Sequence, residues 1–130
     1  MNANEKLLRM VIEARIAGDR DRLAELMDPD VLIHFPGHSL LAGDHRGPGA
    51  LNAKAIEITG NPLVPQVHDV FGSQVHAVGL YTITARRGSA TLSWRHMNLY
   101  LIRDQRVVEV WQNPFEQDVV DEFFAAAGPR

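Results

Sequence analysis

The chain has 130 residues, the length of one domain able to bury roughly two thirds of the surface its unfolded form exposes. Its 13 Lys and Arg against 16 Asp and Glu leave a formal net charge of −3, which offers no positive field to a phosphate backbone and argues against a nucleic-acid partner. No apolar run approaches the roughly 20 residues that span a bilayer, and the absence of cysteine removes disulfides, thiolate nucleophiles and Cys-ligated metals.

The N-terminal stretch "MNANEKLLRMVIEARIAGD" lacks the continuous apolar core of a signal peptide, so a cytoplasmic location with no membrane partner is expected. Within it Leu7, Leu8, Val11, Ile12, Ala14 and Ile16 recur at the spacing of one helical face, which predicts an amphipathic helix stopped at Gly18. Asp19 suits the cap of a shorter second helix through Leu23, Ala24, Leu26 and Met27, ended by Asp28-Pro29. "DVLIHFPG" predicts a strand closed by Pro36-Gly37, and "HSLLAGDHRGPGA" a turn-rich loop. Pro48 fits the first position of a third helix, carried by Leu51, Ala55 and Ile58 to Gly60-Asn61-Pro62.

Beyond that break, "QVHDVF", "QVHAVGLYTITARR", "ATLSWRHMNLYLI" and "RVVEVWQN" are rich in Val, Ile, Thr, Tyr and Trp and predict an antiparallel meander turning at Gly72-Ser73, Gly88-Ser89 and Asp104-Gln105. "FEQDVVDEFFAAAG" predicts a short terminal helix. No repeat or linker divides residues 1–130, so they form a single α+β domain in which a curved antiparallel sheet wraps the helical layer.

A turn around Arg87-Gly88 would pair Ala85 with Ala90, Ile83 with Leu92, Tyr81 with Trp94 and Gly79 with His96. One face then carries Gly79, Tyr81, Ile83, Leu92, Trp94, His96 and Asn98, and the other Leu80, Thr82, Thr84, Ser93, Arg95 and Met97. A three-residue turn would exchange them. Gathering His, Asn, Tyr and Trp on an inward face is costly unless a network or a ligand satisfies them, so a pocket is expected there. Trp111, Asn113 and Phe115, at alternate positions of the following strand, are expected to line the same cavity. His68 and Val70 join them if Val70 pairs with Val75. That mixture suits a small, largely apolar ligand bearing one or two polar groups. On the opposite face Leu80, Met97, Leu99 and Leu101 carry more hydrocarbon than a solvated face needs, which marks a candidate homodimer surface.

The order of three helices and a meander, with "PDVLIHFPGHSLLAGDHRG" early and "RVVEVWQNPFEQDVVDEFF" late, resembles SnoaL-like members of the nuclear transport factor 2-like superfamily over nearly the whole chain. The resemblance implies a cone-shaped α+β barrel, commonly a homodimer, with a ligand cavity between helices and sheet. It spans polyketide cyclases, ketosteroid isomerases, epoxide hydrolases and members that only bind or scaffold, and fold alone does not choose among them. Enzymes of the group place a carboxylate in the cavity. Here Asn113 stands where limonene-epoxide-hydrolase-like sequences have Asp, and Asn98 near the ketosteroid-isomerase-like acid.

With those carboxylates replaced, His96 is the candidate general base, since imidazole titrates near neutral pH and can move a proton alpha to a carbonyl. Asn98, Asn113 and Tyr81 would donate to an enolate oxygen. Trp94, Trp111, Phe35, Tyr100 and Phe115 are expected ligand contacts, with His68, and with His34 near the cavity mouth. Asp118 is either an acid delivered by the late segment or a helix cap. Pro36-Gly37 forbids the helix that would converge "HFPGH" on a metal, and no phosphate loop, dinucleotide fingerprint or serine elbow is present, so neither metal nor cofactor is expected. The sequence therefore points to a cofactor-free enzyme cyclising or isomerising a hydrophobic, polyketide- or steroid-like carbonyl compound by proton transfer. Two alternatives stand beside it: a non-catalytic ligand-binding or dimerisation module, and epoxide opening by an acid such as Asp118 or Asp69.

Overall fold

The computed structural model describes residues 2–126. Helix α1 (Ala3–Ala17) starts on Asn2, whose side chain accepts from the backbone N–H groups of Asn4 and Glu5, and stops at Gly18 in the left-handed region at φ 68°. Asn4 ties the helix start to the sheet by donating to the carbonyls of Ser73 and Gln74. Helix α2 (Arg20–Leu26) is capped by Asp19. The chain then enters β1 (Met27–Phe35) directly, so Asp28-Pro29 lies inside a strand.

The loop expected after β1 contains a strand, β2 (Gly43–Arg46), paired antiparallel with β1 from Leu32↔Arg46 to Phe35↔Gly43. It is a four-residue edge strand of mostly exposed polar residues, with no apolar alternation to betray it. Helix α3 (Ala50–Thr59) runs from Gly49 to Gly60, and Pro48 sits just ahead of it. Four long strands follow: β3 (Val64–Gly72), β4 (His76–Arg87), β5 (Ala90–Arg103) and β6 (Arg106–Pro114). Helix α4 (Gln117–Phe123) closes the described chain, and residues 127 and 128 of the predicted terminal helix lie outside the described residues.

The strands form one curved, unclosed six-stranded sheet in the order β2-β1-β6-β5-β4-β3. All neighbours are antiparallel except β1 and β6, which run parallel. Pro65 is tolerated because β3 is an edge strand with one free side. Leu7, Leu8, Val11 and Ile12 of α1 bury against the concave face with Val70, Ala77 and Ile83. At the other end Phe124 sets its edge against Trp94, and Arg87 donates to the carbonyls of Phe123 and Ala125.

Three local irregularities decide which side chains face inward. The β4–β5 hairpin closes on two residues, Gly88 at φ 60° and Ser89, so Tyr81 opposes His96 and Gly79 opposes Asn98. This register is shifted by two residues from the predicted one, and an even shift keeps every side chain on its expected face. The β5–β6 turn places Asp104 and Gln105 at φ 52° and 62°, the pattern of a type I′ turn. A bulge then leaves Val108 without a cross-strand partner, Ile102 opposing Val107 and Leu101 opposing Glu109. That odd shift turns Val110 and Gln112 inward and Trp111 and Asn113 outward, the reverse of the expectation. A second bulge, at His68, opposes Val67 to Tyr81 and Asp69 to Leu80. Val70 is therefore buried and pairs with Gly79, whereas His68 is exposed and bonds Thr82 Oγ1 at 2.7 Å.

Gly79 carries a packing constraint of its own. A Cβ built there would collide with the hydroxyl and ring of Tyr81, which folds back along its own strand over the glycine. We expect Gly79→Ala to cost about 1–3 kcal/mol through this overpacking, measured by urea denaturation. An unchanged midpoint would show that Tyr81 can leave this position freely.

Candidate functional site: a cavity at the end of a hydrogen-bond chain

A cavity of about 90 Å³ lies between α1, α3 and the concave sheet. Val11, Ile12, Met27, Ile33, Leu51, Leu63, Pro65, Ile83 and Val110 make it mostly apolar. Its polar groups are Arg15, Asn52, Tyr81, Asn98, Tyr100 and Gln112. No carboxylate and no imidazole is among these lining residues.

Behind the wall runs a continuous side-chain network on the inner face of β5. Trp94 Nε1 contacts His96 Nδ1 at 3.0 Å; His96 Nε2 contacts Asn98 Oδ1 at 2.8 Å and Gln112 Oε1 at 2.6 Å. Asn98 Nδ2 meets Tyr100 Oη at 3.0 Å, and Tyr100 meets Tyr81 Oη at 2.7 Å. An indole N–H can only donate, so Nδ1 of His96 must be the acceptor and its proton sits on Nε2. That proton is shared by two amide oxygens, which orients both amides. The Asn98 nitrogen is then left to donate to Tyr100. Of the two phenolic protons, one is consumed between the tyrosines and the other has no partner among the described residues, so it is available to the cavity that both rings line.

His96 is 1% exposed, and burial holds its pKa below the usual imidazole value, opposed by its bonds to Gln112 and Asn98. It is neutral, and neither ring nitrogen offers a lone pair to a ligand. The general-base role expected from its position in the strand does not match this geometry, in which His96 orients Asn98 and Gln112. Burial likewise pushes the phenols of Tyr81 and Tyr100 upward; for Tyr81 the neighbouring Tyr100 adds to the push, whereas for Tyr100 the bonds from Tyr81 and Asn98 oppose it. Both remain protonated donors at neutral pH.

The other expected residues divide sharply. Trp94 and Phe35 are buried and both pack on His96, with ring centroids 6.2 Å and 6.3 Å away, so they back the network. Asn98 and Tyr100 belong to the network and the wall. Trp111 and Asn113 stand on the convex face, and Phe115 is 55% exposed beneath the Arg95 guanidinium, 5.9 Å from its ring centre. Asp118 is exposed in the first turn of α4, where the N-cap position is Glu116 and no side-chain cap forms. Asp69 is exposed and accepts from the Val70 N–H. Neither acid reaches the cavity. Gln112, Arg15 and Asn52 were missed by sequence reasoning. A β-bulge hides Gln112, and the other two look like ordinary helix-surface residues.

His34 also lies outside the cavity. On the convex face its Nδ1 meets Asp44 at 2.7 Å and its Nε2 meets Glu109 at 2.6 Å, while Trp111 stacks on the ring at 5.6 Å. The hydrogen bond to Glu109 is the main influence raising its pKa, burial opposes it, and Asp44 adds to the rise. One imidazolium thus bridges β2, β1 and β6.

The sequence profile of the SnoaL-like domain matches residues 8–110, well over half of the chain. The chain belongs to the SnoaL-like domain family. Among curated proteins none matches it significantly in sequence. Among solved structures, Bal32a from a soil-derived mobile gene cassette is 28% identical, aligned over 94% of this chain and 96% of its own with a TM-score of 0.83. A protein of unknown function with a cystatin-like fold from Xanthomonas campestris is 25% identical, over 96% and 99%, TM-score 0.82. IdmH of Streptomyces antibioticus, a proposed polyketide cyclase, shares the fold at 18% identity over 89% and 95%, TM-score 0.64.

The two histidines give this SnoaL-like chain opposed pH dependences. A raised folded-state pKa at His34 means that the folded state holds more protons, so its contribution is complete below about pH 6.5 and is lost as pH rises through the folded value. The lowered pKa of His96 acts the other way, costing stability as pH falls below about 6.5. We expect the melting temperature to fall on the alkaline side and His34→Gln to flatten that fall. A limb of unchanged steepness in H34Q would exclude His34 as its source.

Proposed function

We propose that this SnoaL-like protein takes a compact, largely apolar carbonyl compound into the cavity and polarises its oxygen, promoting cofactor-free cyclisation or isomerisation through an enol or enolate. The observation that carries the reading is the leftover phenolic proton of the Tyr81–Tyr100 pair, at the end of a buried donor chain whose direction Trp94 fixes. A preorganised donor in a water-poor site is worth most where negative charge develops on oxygen. The likeness to a proposed polyketide cyclase supports the same reaction class. At about 90 Å³ the cavity is far below the roughly 300 Å³ where drug-sized sites begin, so a single-ring or acyclic compound fits the reading better than a polycyclic polyketide or a steroid.

The role left for His96 is positional: it holds Asn98 in the orientation that donates to Tyr100 and fixes the Gln112 oxygen away from the cavity. The proton removed from carbon then passes to a group on the substrate or to water. The absence of a base from the lining residues also favours a second reading, non-catalytic binding of the same class of compound. Exchange of alpha protons in D2O, followed by NMR on enolisable ketones such as acetophenone, separates the two. Catalysis predicts accelerated exchange in the wild type and a loss of about 10²–10³-fold in Tyr81→Phe/Tyr100→Phe, by the usual cost of deleting an oxyanion donor. Binding without accelerated exchange would leave the binding reading alone.

The half-buried hydrocarbon of Leu80, Met97, Leu99 and Leu101 on the convex face supports a homodimer through the sheet. Light scattering should then give twice the chain mass, and a monomeric mass at micromolar concentration would remove the dimer.

A further inference from the structure

Arg15, in the last turn of α1, is a cation on the cavity wall whose acceptors among the described residues, the Pro48 carbonyl and the Met27 sulfur, are neutral. It is partly buried, and among the described residues it forms no ion pair. Its Nη2 donates to the Pro48 carbonyl at 2.9 Å and contacts Met27 Sδ at 3.8 Å. Nη2 is thus spent on a carbonyl oxygen and a weakly accepting sulfur, which fixes the group against the connection between β2 and α3 and leaves Nε and Nη1 of the fork uncommitted among the described residues. The charge is felt at the far wall: it draws the pKa values of both Tyr81 and Tyr100 downward against the larger effect of burial.

The neighbours of Arg15 reinforce the same sign. Asn52 uses its oxygen to accept from the Leu63 N–H at 2.9 Å, and Gln112 uses its oxygen on His96, so the unspent groups of both amides are chiefly their N–H donors. A wall with a guanidinium, two amide nitrogens and a phenolic proton, facing no carboxylate, selects for negative charge. Desolvating a cation without a counter-ion is unfavourable, and a ligand anion relieves that cost.

We infer that the ligand of this cavity is a compact organic acid, its carboxylate paired with Arg15 and its carbonyl oxygen at the tyrosine pair. This rests on the carbonyl-binding reading above and adds the second, anionic group. Acids of the beta-keto class carry both groups on a short skeleton, whereas aryl carboxylic acids carry the charged group and an apolar body alone.

The test compares isosteres that differ only in that charge. Acetoacetate against 2,4-pentanedione, and benzoate against acetophenone, are titrated by calorimetry into the wild type, Arg15→Gln and Tyr81→Phe/Tyr100→Phe. We expect each acid to bind the wild type about tenfold or more tighter than its neutral partner, as a charge-assisted bond would give. In R15Q the preference should vanish while the ketones still bind. Ketone binding with no gain for the acids would overturn the anion site and leave the carbonyl site standing. Acetoacetate binding lost in R15Q yet unchanged in the tyrosine variant would sustain Arg15 and remove the carbonyl site. Binding of neither probe to the wild type would overturn both. Should R15Q fail to fold, Arg15→Lys, which keeps the charge and loses the fork, should bind the acids more weakly than the wild type but still prefer them; equal preference for acid and ketone there would overturn the pairing.

Discussion

The buried indole N–H of Trp94 sets the polarity of the whole site. Because it can donate and never accept, it dictates the tautomer of His96, and through that tautomer the orientation of two amides and the direction of the bond into the tyrosine pair. Six side chains that would each be costly to bury alone become a satisfied network with one surplus proton at its end. Reversing the histidine tautomer or either amide would leave a donor facing a donor. The network is therefore as specific as a packed core, and it lies where β5 passes under the helices, so the fold and the polarity of the cavity are held by the same residues.

What the sequence revealed follows from which physical signals survive small local shifts. Helix faces, the cap at Asp19, and stops at Gly18 and Gly60 depend on nearest neighbours and are legible directly. The inner face of β4 and β5 was also legible despite a register two residues off, since side-chain alternation has a period of two. Strand β6 was not. One bulged residue, Val108, exchanges Trp111 and Asn113 for Val110 and Gln112, and nothing in "RVVEVWQN" marks the bulge. The bulge at His68 hides in the same way, and β2 is too short and too polar to show a period at all.

The convex face shows how the same sheet serves a different purpose on its outside. Leu32, His34, Glu109 and Trp111 share that surface because β1 and β6 run parallel, which places His34 beside Trp111 and Leu32 beside Glu109. Sequence separation between His34 and Glu109 conceals the cluster, and a histidine at a strand end beside Pro36-Gly37 reads as part of a cavity mouth. One imidazolium joins three neighbouring strands, including the short edge strand β2, from which the chain leads to the helix that lines the cavity. Two histidines of one small domain thus lie in opposite electrostatic settings, one buried among neutral partners and one clasped by carboxylates.

Selectivity in such a cavity comes less from fit than from what goes unsatisfied. The amide oxygens of Asn52, Asn98 and Gln112 and the carbonyl of Pro48 are already occupied by donors of the protein itself, leaving mainly N–H and O–H groups exposed to a ligand. An apolar compound without an acceptor oxygen would fill the space and strand those donors, whereas one carrying oxygen in the right place restores partners to them. Discrimination built on a missing hydrogen bond is far stronger than discrimination built on a missing methylene. A narrow, donor-rich cavity can therefore reject hydrocarbons of suitable shape while accepting oxygenated compounds of several skeletons, which is how one scaffold serves many chemistries with modest changes to its wall.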